Sequence, residues 1–352
     1  MSRTPARLNR RTTIVDVAAR AGVSRQTVSR AMNDLPGISA GTRARVLEAA
    51  DELGYRPSRS GRALAQTEPP VLGLLVADLT NAFFSELATE IIREAARHGW
   101  SVVLSEDRRD ESLPGGRGAV IRQLGERVDA LVGYAPLGRE APGNAAVPVV
   151  LLDSPEDADP AAGRIAMDPE PALEDLVAHL RTVGARAPAV LDSRSNIPVG
   201  ATTRSQRAWL LQQTLEKLGG GEVPVALVED DGEAEQAEVS RVEVIRRLVE
   251  APPQGVPPRD VLVAYNDKLA VQLLRTLRSR GIEVPGTVRV VGHDGLELGT
   301  LVTPTLTTLA SDAREIARHA VELAVGIYER SIPSGPRTLR HHHYTLVLRE
   351  SA

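Results

Sequence analysis

A chain of 352 residues has room for a small module and about two further domains, and its net charge of −4 conceals a strong asymmetry. The first 66 residues hold 12 arginines and five acids, a net of +7 that leaves −11 on the remainder; a basic end on an acidic body is an electrostatic footprint for nucleic acid. The absence of cysteine excludes disulfides and thiolate metal sites. No apolar run reaches the roughly 18 residues of a membrane span, and the basic N-terminus has no apolar signal core, which points to the cytoplasm.

Residues 13–30, TIVDVAARAGVSRQTVSR, predict a helix, a glycine turn and a second helix. Thr13 is a good N-cap, with Asp16 near the positive end of the helix dipole. Val17, Ala18 and Ala21 form one apolar face, and Gly22 supplies the left-handed backbone that ends the helix. Val23 fills the angle between the helices, and Ser24 caps the second one. A third helix follows Ser39, with Val46, Leu47, Ala50 and Leu53 inward and Gly54 as its stop.

The outer face of the second helix carries Arg25, Gln26, Ser29 and Arg30. Arginine can bond guanine O6 and N7 together and glutamine adenine N6 and N7, each worth about 1–3 kcal/mol of base discrimination. Ser24, Thr27, Ser29, Ser39, Thr42 and Tyr55 offer neutral donors to phosphates, which fix register rather than sequence. Double-stranded DNA is the expected partner; a three-helix module that binds protein through a solvated polar face is the alternative. Arg3, Arg7, Arg10 and Arg11 add nonspecific phosphate attraction. Pro57 to Ala65, PSRSGRALA, read alone, is a flexible linker.

From residue 71 short β-branched runs alternate with amphipathic stretches. VLGLLVA, WSVVLSE, ALVGYA, PVVLLD and GRIAM are predicted strands, with helices over 85–99 and 117–127. The rhythm repeats: helix 170–183, APAVLDS, helix 204–218, VPVALVE, helix 239–249, VLVAY, helix 268–280, VRVVGHD. Such alternation predicts two parallel sheets covered by helices, with a ligand cleft at the strand C-termini. Asp78, Phe83 and Phe84, Asp153, Asp168, Asn266 and Asp267, and Asp294 follow strand ends, and Arg207 lies early in a helix. Carboxylates, amides and an arginine fork suit a small polyhydroxyl ligand. The bland alternatives are a core role for Phe83, a helix cap for Asp267, a loop contact for Asn266 and a turn contact for Asp294.

The run His341–His343 invites a metal reading, but alternate histidines of a strand face opposite sides. His98, His179 and His319 are isolated, and no cluster has zinc spacing. GGRG at 115–118 lacks the context of a phosphate loop. No catalytic constellation emerges, so no enzyme, cofactor or metal is expected.

The motifs DVAARAGVSRQTVSRAMN, ISAGTR and LGYRP, continued by NAFF, HL at 179–180, YNDKLA, VPGTVRVVGHD, TPTLTTL and LRES, resemble the LacI/GalR family of bacterial transcriptional regulators over nearly the whole chain. The resemblance implies an α/β fold in three parts. A three-helix helix-turn-helix head spans 1–56 and a hinge segment 57–66. A periplasmic-binding-protein-like body spans 67–352, with two doubly wound parallel-sheet subdomains, 67–166 plus 306–333 and 167–305 plus 334–352. It implies a homodimeric repressor on a near-palindromic operator. Arg25, Gln26 and Arg30 fall at base-reading positions, with Ser29 beside them; Thr13, Ser24, Thr27, Asn33, Ser39, Thr42 and Tyr55 fall at positions that mostly touch the backbone.

In such proteins the hinge becomes helical only on the operator, and a segment this short needs binding to order it. Leu64, followed by Ala65, matches the leucine wedge of the minor groove, while Arg59 and Arg62 hold the adjacent backbone. Gly61 departs from the common alanine and weakens the helix by about 1 kcal/mol. Asp153, Arg207, Asn266 and Asp294 match effector-binding positions, with Phe84 and Asp168 as further candidates and Arg204 competing with Arg207. The expected effector is a sugar, polyol or nucleoside. Three departures bear on it: Glu229, Asp230 and Asp231 replace a stacking aromatic, Leu210 replaces a glycine, and His293 replaces the aromatic before Asp294. The competing function is a constitutive DNA-binding regulator with a degenerate cleft, controlled by a partner protein.

Overall fold

The computed structural model describes residues 13–32, 36–53, 69–106, 124–125, 127–134, 147–153, 163–194, 204–219, 221–229, 234–335 and 338–352. Asn33, Gly54, Tyr55, the hinge residues Arg59, Arg62, Leu64 and Ala65, most of the helix expected over 117–127, and Asp230 and Asp231 lie outside them. The chain forms two compact units, Met1–Pro70 and Val71–Ala352.

In the first unit α1 (Ile14–Ala21), α2 (Arg25–Met32) and α3 (Ala40–Glu52) bury Val17, Ala18, Val28, Ala31, Val46, Ala49 and Ala50 against one another. The backbone N–H and the hydroxyl of Thr13 both donate to the Asp16 carboxylate at 2.7 Å, which fixes the start of α1. Gly22, at φ +65°, ends it. Ser24 Oγ accepts from Thr27 N–H at 3.1 Å and Ser39 Oγ from Thr42 N–H at 3.2 Å, so both expected caps form. Leu47 corrects the expected inward face of α3: it is 46% exposed. Residues 46, 49, 50 and 53 complete the stripe at i, i+3, i+4 and i+7, and position 47 lies one step outside it.

The second unit carries two six-stranded sheets. The first is ordered β11-β5-β4-β3-β1-β2, all parallel, from β1 (Val71–Val76), β2 (Ser101–Glu106), β3 (Ala130–Tyr134), β4 (Val149–Leu152), β5 (Gly163–Asp168) and β11 (Leu339–His343). The second is ordered β12-β10-β9-β8-β6-β7, from β6 (Pro188–Ser193), β7 (Val225–Val228), β8 (Val261–Ala264), β9 (Arg289–Asp294), β10 (Thr307–Ala310) and β12 (Thr345–Val347), with β12 antiparallel to β10. In the first lobe α4 (Ala82–Arg97) and α9 (Ala313–Tyr328) share a core with the sheet. In the second, α7 (Ala234–Ile245) and α8 (Asp267–Ser279) pack on one face, α5 (Glu170–Thr182) and α6 (Gln206–Leu215) on the other. Central strands buried on both faces account for the continuous apolar runs VLGLLV, VVLL and VLVA.

The chain crosses between lobes after Asp168, after Ala310 and after His343. The expected segment boundaries at 306 and 334 therefore shift. Residues 307–310 ladder with β9, and Leu306 and Leu309 fill the second lobe's cores. Residues 339–343 ladder with β5 in the first lobe. No helix among the described residues is long and apolar enough to cross a membrane.

Candidate DNA-reading helix and effector cleft

On α2 the side chains of Arg25, Gln26 and Arg30 are exposed and Ser29 is half-buried, while Val28 and Ala31 anchor the opposite face. This is the division of labour a reading helix needs: an apolar back and a polar front. Arg25 and Gln26 stand clear at the N-terminal end. Arg30 Nη1 donates to the Pro36 carbonyl at 3.0 Å, so its guanidinium also braces the approach to α3. The hydroxyls of Ser24 and Thr27 lie 2.9 Å apart, as do those of Ser39 and Thr42. The Thr13 hydroxyl is turned toward Asp16.

In the body the strand C-termini of both lobes converge on Arg207, the second residue of α6. Asp192, fully buried at the end of β6, sets where that helix begins. Its carboxylate accepts from Ser205 N–H at 2.7 Å, from the Ser205 hydroxyl at 3.1 Å and from Ser193 N–H at 2.9 Å. Ser205 Oγ in turn accepts from Ala208 N–H, the cap that starts α6. Arg207 Nη1 donates to the Tyr265 carbonyl at 3.0 Å and to Asp294 Oδ1 at 3.3 Å, and its Cζ lies 4.6 Å above the Tyr265 ring. The competing Arg204 turns away and bonds Gln212 Oε1.

Burial pushes the Asp294 carboxyl up to about 7, Arg207 opposing and the charges of Asp267 and Glu86 adding to the rise. Asp153, across from it at the end of β4 with φ +48°, is reached by solvent, yet cleft walls surround it closely enough that burial raises its carboxyl too, again against Arg207. Burial also raises the Tyr134, Tyr265 and Tyr344 phenols. The Tyr134 hydroxyl has no hydrogen-bond partner among the described residues. Phe84 stands edge-on to Tyr134 at 5.3 Å, and Phe83 packs in the first core. The His293 ring is buried 4.8 Å from Tyr344, with neither nitrogen partnered among the described residues; burial, reinforced by Arg207, holds it well below the ordinary imidazole range and therefore neutral.

Arg207, Asp153 and Asp294 thus come together, with Phe84 at their edge. Asn266 and Asp267 exchange the roles that sequence suggests. Asn266 is the cap of α8, its Oδ1 accepting from Leu269 N–H at 2.8 Å. Asp267 accepts from Gly295 N–H, Leu296 N–H and the Thr308 hydroxyl at 2.9, 2.7 and 2.6 Å, tying the turn after Asp294 to β10. The Asp168 carboxylate is taken by Glu170 N–H at 3.0 Å and His343 at 3.0 Å, away from Arg207. Leu210 packs against the second lobe's core, and Glu229 is paired with Arg194. Tyr134, Tyr265, Tyr344 and Asp192 line the cleft without a mark in the residue pattern, whereas His293 stands out in the sequence as the residue before Asp294. The legible signal is a lone tyrosine closing an apolar strand, as in ALVGY and VLVAY.

A helix-turn-helix unit joined to a two-lobed body with a cleft at the strand ends defines a DNA-binding transcriptional regulator. Residues 13–58 match the family described as bacterial regulatory proteins, lacI family, and residues 177–352 match the periplasmic binding protein-like domain. Catabolite control protein A of Priestia megaterium is 28% identical over 320 residues, covering 88% of this chain and 91% of its own. The crystal structure of a LacI family transcriptional regulator from Arthrobacter sp. FB24 in complex with lactose is 30% identical with TM-score 0.68, covering 81% of this chain and 100% of its own. The lac repressor dimer bound to operator and the anti-inducer ONPF is 26% identical with TM-score 0.64, covering 97% and 99%. The chain belongs to the LacI/GalR family of bacterial transcriptional regulators.

Proposed function

We propose that this regulator represses from the cytoplasm as a homodimer on a near-palindromic operator, and that a small uncharged effector of the sugar, polyol or nucleoside class sets its affinity. Arg25, Gln26 and Arg30 read bases, Ser29 lies between them, and Ser24, Thr27, Ser39 and Thr42 hold phosphates. The effector is held by Asp153, Arg207, Asn266 and Asp294 and packs against Phe84, with Asp168 as a further contact at the first crossover between the lobes.

The observation that carries this reading is the convergence of Asp153 from one lobe with Arg207 and Asp294 from the other. A ligand bridging them favours one lobe angle over another, and operator affinity follows that population. Arg207 already faces Asp294 and Asp153, so an anionic ligand would compete with both carboxyl groups for its charge, which disfavours phosphorylated sugars.

The test combines operator selection from a random duplex pool with calorimetry over sugars, polyols and nucleosides. Heat from one compound that also changes operator affinity supports the reading. A selected operator with calorimetric silence throughout favours the partner-controlled regulator. No selection of any duplex at low salt refutes both.

A further inference from the structure

The run His341–His343 lies where the three inter-lobe crossovers meet. Among the described residues no group of three or more histidine or carboxylate side chains could hold a metal. The three rings do different things. His342 points inward and is 1% exposed, whereas His341 and His343 point outward and stack at 6.3 Å.

His342 Nε2 accepts from Asp312 N–H at 3.2 Å, and its Nδ1 lies 2.9 Å from Glu315 Oε2. A backbone N–H can only donate, so Nε2 is unprotonated and Nδ1 carries the hydrogen given to Glu315. Asp312 begins α9 immediately after the second crossover, its carboxylate accepting from Arg314 and Glu315 N–H. One residue earlier, Ser311 donates from both its N–H, at 3.1 Å, and its hydroxyl, at 3.3 Å, to the Asp294 carbonyl in the cleft. His343 pairs with the Asp168 carboxylate at 3.0 Å, and Tyr344 N–H donates to the Asp168 carbonyl at 3.1 Å, joining the third crossover to the first.

We propose that His342 and His343 form a clasp over the lobe hinge, and that a proton on His342 Nε2 opens it by removing the acceptor of Asp312 N–H. The second crossover then loses its tie to the third, the lobes rotate more freely, and the regulator becomes sensitive to acidification. The groups facing His342 set the threshold. Glu315 and Asp312, from α9, favour the proton; burial and the neighbouring His343 oppose it, and burial dominates. Arg318, 3.9 Å from Glu315, competes for that carboxylate, and Tyr344 presents its ring 6.0 Å away. The clasp therefore stays closed at neutral pH and opens below the ordinary imidazole range.

The test needs neither operator nor effector, so its failure is separable from that of the proposed function. His342→Gln retains a donor and an acceptor but cannot titrate. In the full chain, amide exchange over 311–315, corrected for the intrinsic rate, accelerates in the wild type on going from pH 7.5 to 5.5. The gain is up to about tenfold for each pH unit as the pH falls toward the midpoint and levels off below it, as one bound proton requires. The variant stays flat. Because the chain has no cysteine, Ile92→Cys with Lys217→Cys places one fluorophore on each lobe; their distance distribution broadens at pH 5.5 in the wild-type background and not in His342→Gln. Equal behaviour of the two proteins in both measurements overturns the proposal. Should the variant fail to fold, imidazole ¹⁵N spectra of the wild type decide: the His342 ring and the Asp312 amide titrate with one midpoint, and an unmoved Asp312 amide overturns it.

Discussion

Replacing Asp294 with asparagine isolates the electrostatics of the cleft in one comparison. The carboxyl is 4% exposed, and its pKa rises from 3.8 to about 7 on folding because burial outweighs Arg207, 3.3 Å away. Between those two values the folded chain keeps a proton that the unfolded chain has lost. Stability therefore falls as pH rises across that window, by up to about 1.4 kcal/mol per pH unit and roughly 4 kcal/mol in all. Asp294→Asn carries no such proton, so its stability curve loses this contribution. It keeps the slopes from Asp153, Glu86 and Asp267, whose pKa values burial also raises. The assay is urea unfolding from pH 4.5 to 8, followed through Trp100 in the first lobe and Trp209 in the second. The variant should gain on the wild type by several kcal/mol between pH 5 and 8. The offset between the curves also contains the cost of leaving Arg207 without its partner, so the difference in slope is the decisive quantity. Parallel curves would refute the account of the site.

Arg30→Ala should lose base discrimination by about 1–3 kcal/mol while keeping nonspecific binding; equal losses on operator and random DNA in a salt titration would contradict base reading. Asp267→Ala strands a buried N–H, a half-buried N–H and a buried hydroxyl; at about 1–3 kcal/mol per unmade bond it should cost about 3 kcal/mol or more in denaturant unfolding. Leu64→Ala should reduce operator bending in a phasing or energy-transfer assay, and an unchanged bend angle would count against the wedge.

The strands of both lobes were legible because each sheet is covered on both faces, which writes β1, β4 and β8 as unbroken apolar runs. The caps of the head were legible because a serine two or three residues ahead of a free N–H has a local partner. What escaped depends on contacts distant in sequence. Nothing near Asp267 announces Gly295, Leu296 and Thr308, so its role looked like a cap. Tyr134 and Tyr265 read as ordinary strand residues until the two lobes bring them beside Arg207. The exchange of β10 and β11 between lobes was hidden because parallel pairing leaves no turn signal at the joint.

The crossovers also govern how the protein is made. The first lobe's core includes Ile316, Ala320 and Val321, which lie far downstream of the strands they cover. On the ribosome, β1 to β5 emerge with that apolar face covered by α4 alone, and the part that α9 covers stays bare until almost all of the polypeptide has been synthesised. The head, with a core drawn from one short continuous stretch, can fold as soon as it clears the exit tunnel. Nascent chains halted ahead of residue 313 should therefore carry a finished DNA-reading module on an unfinished body, and chaperones should hold them.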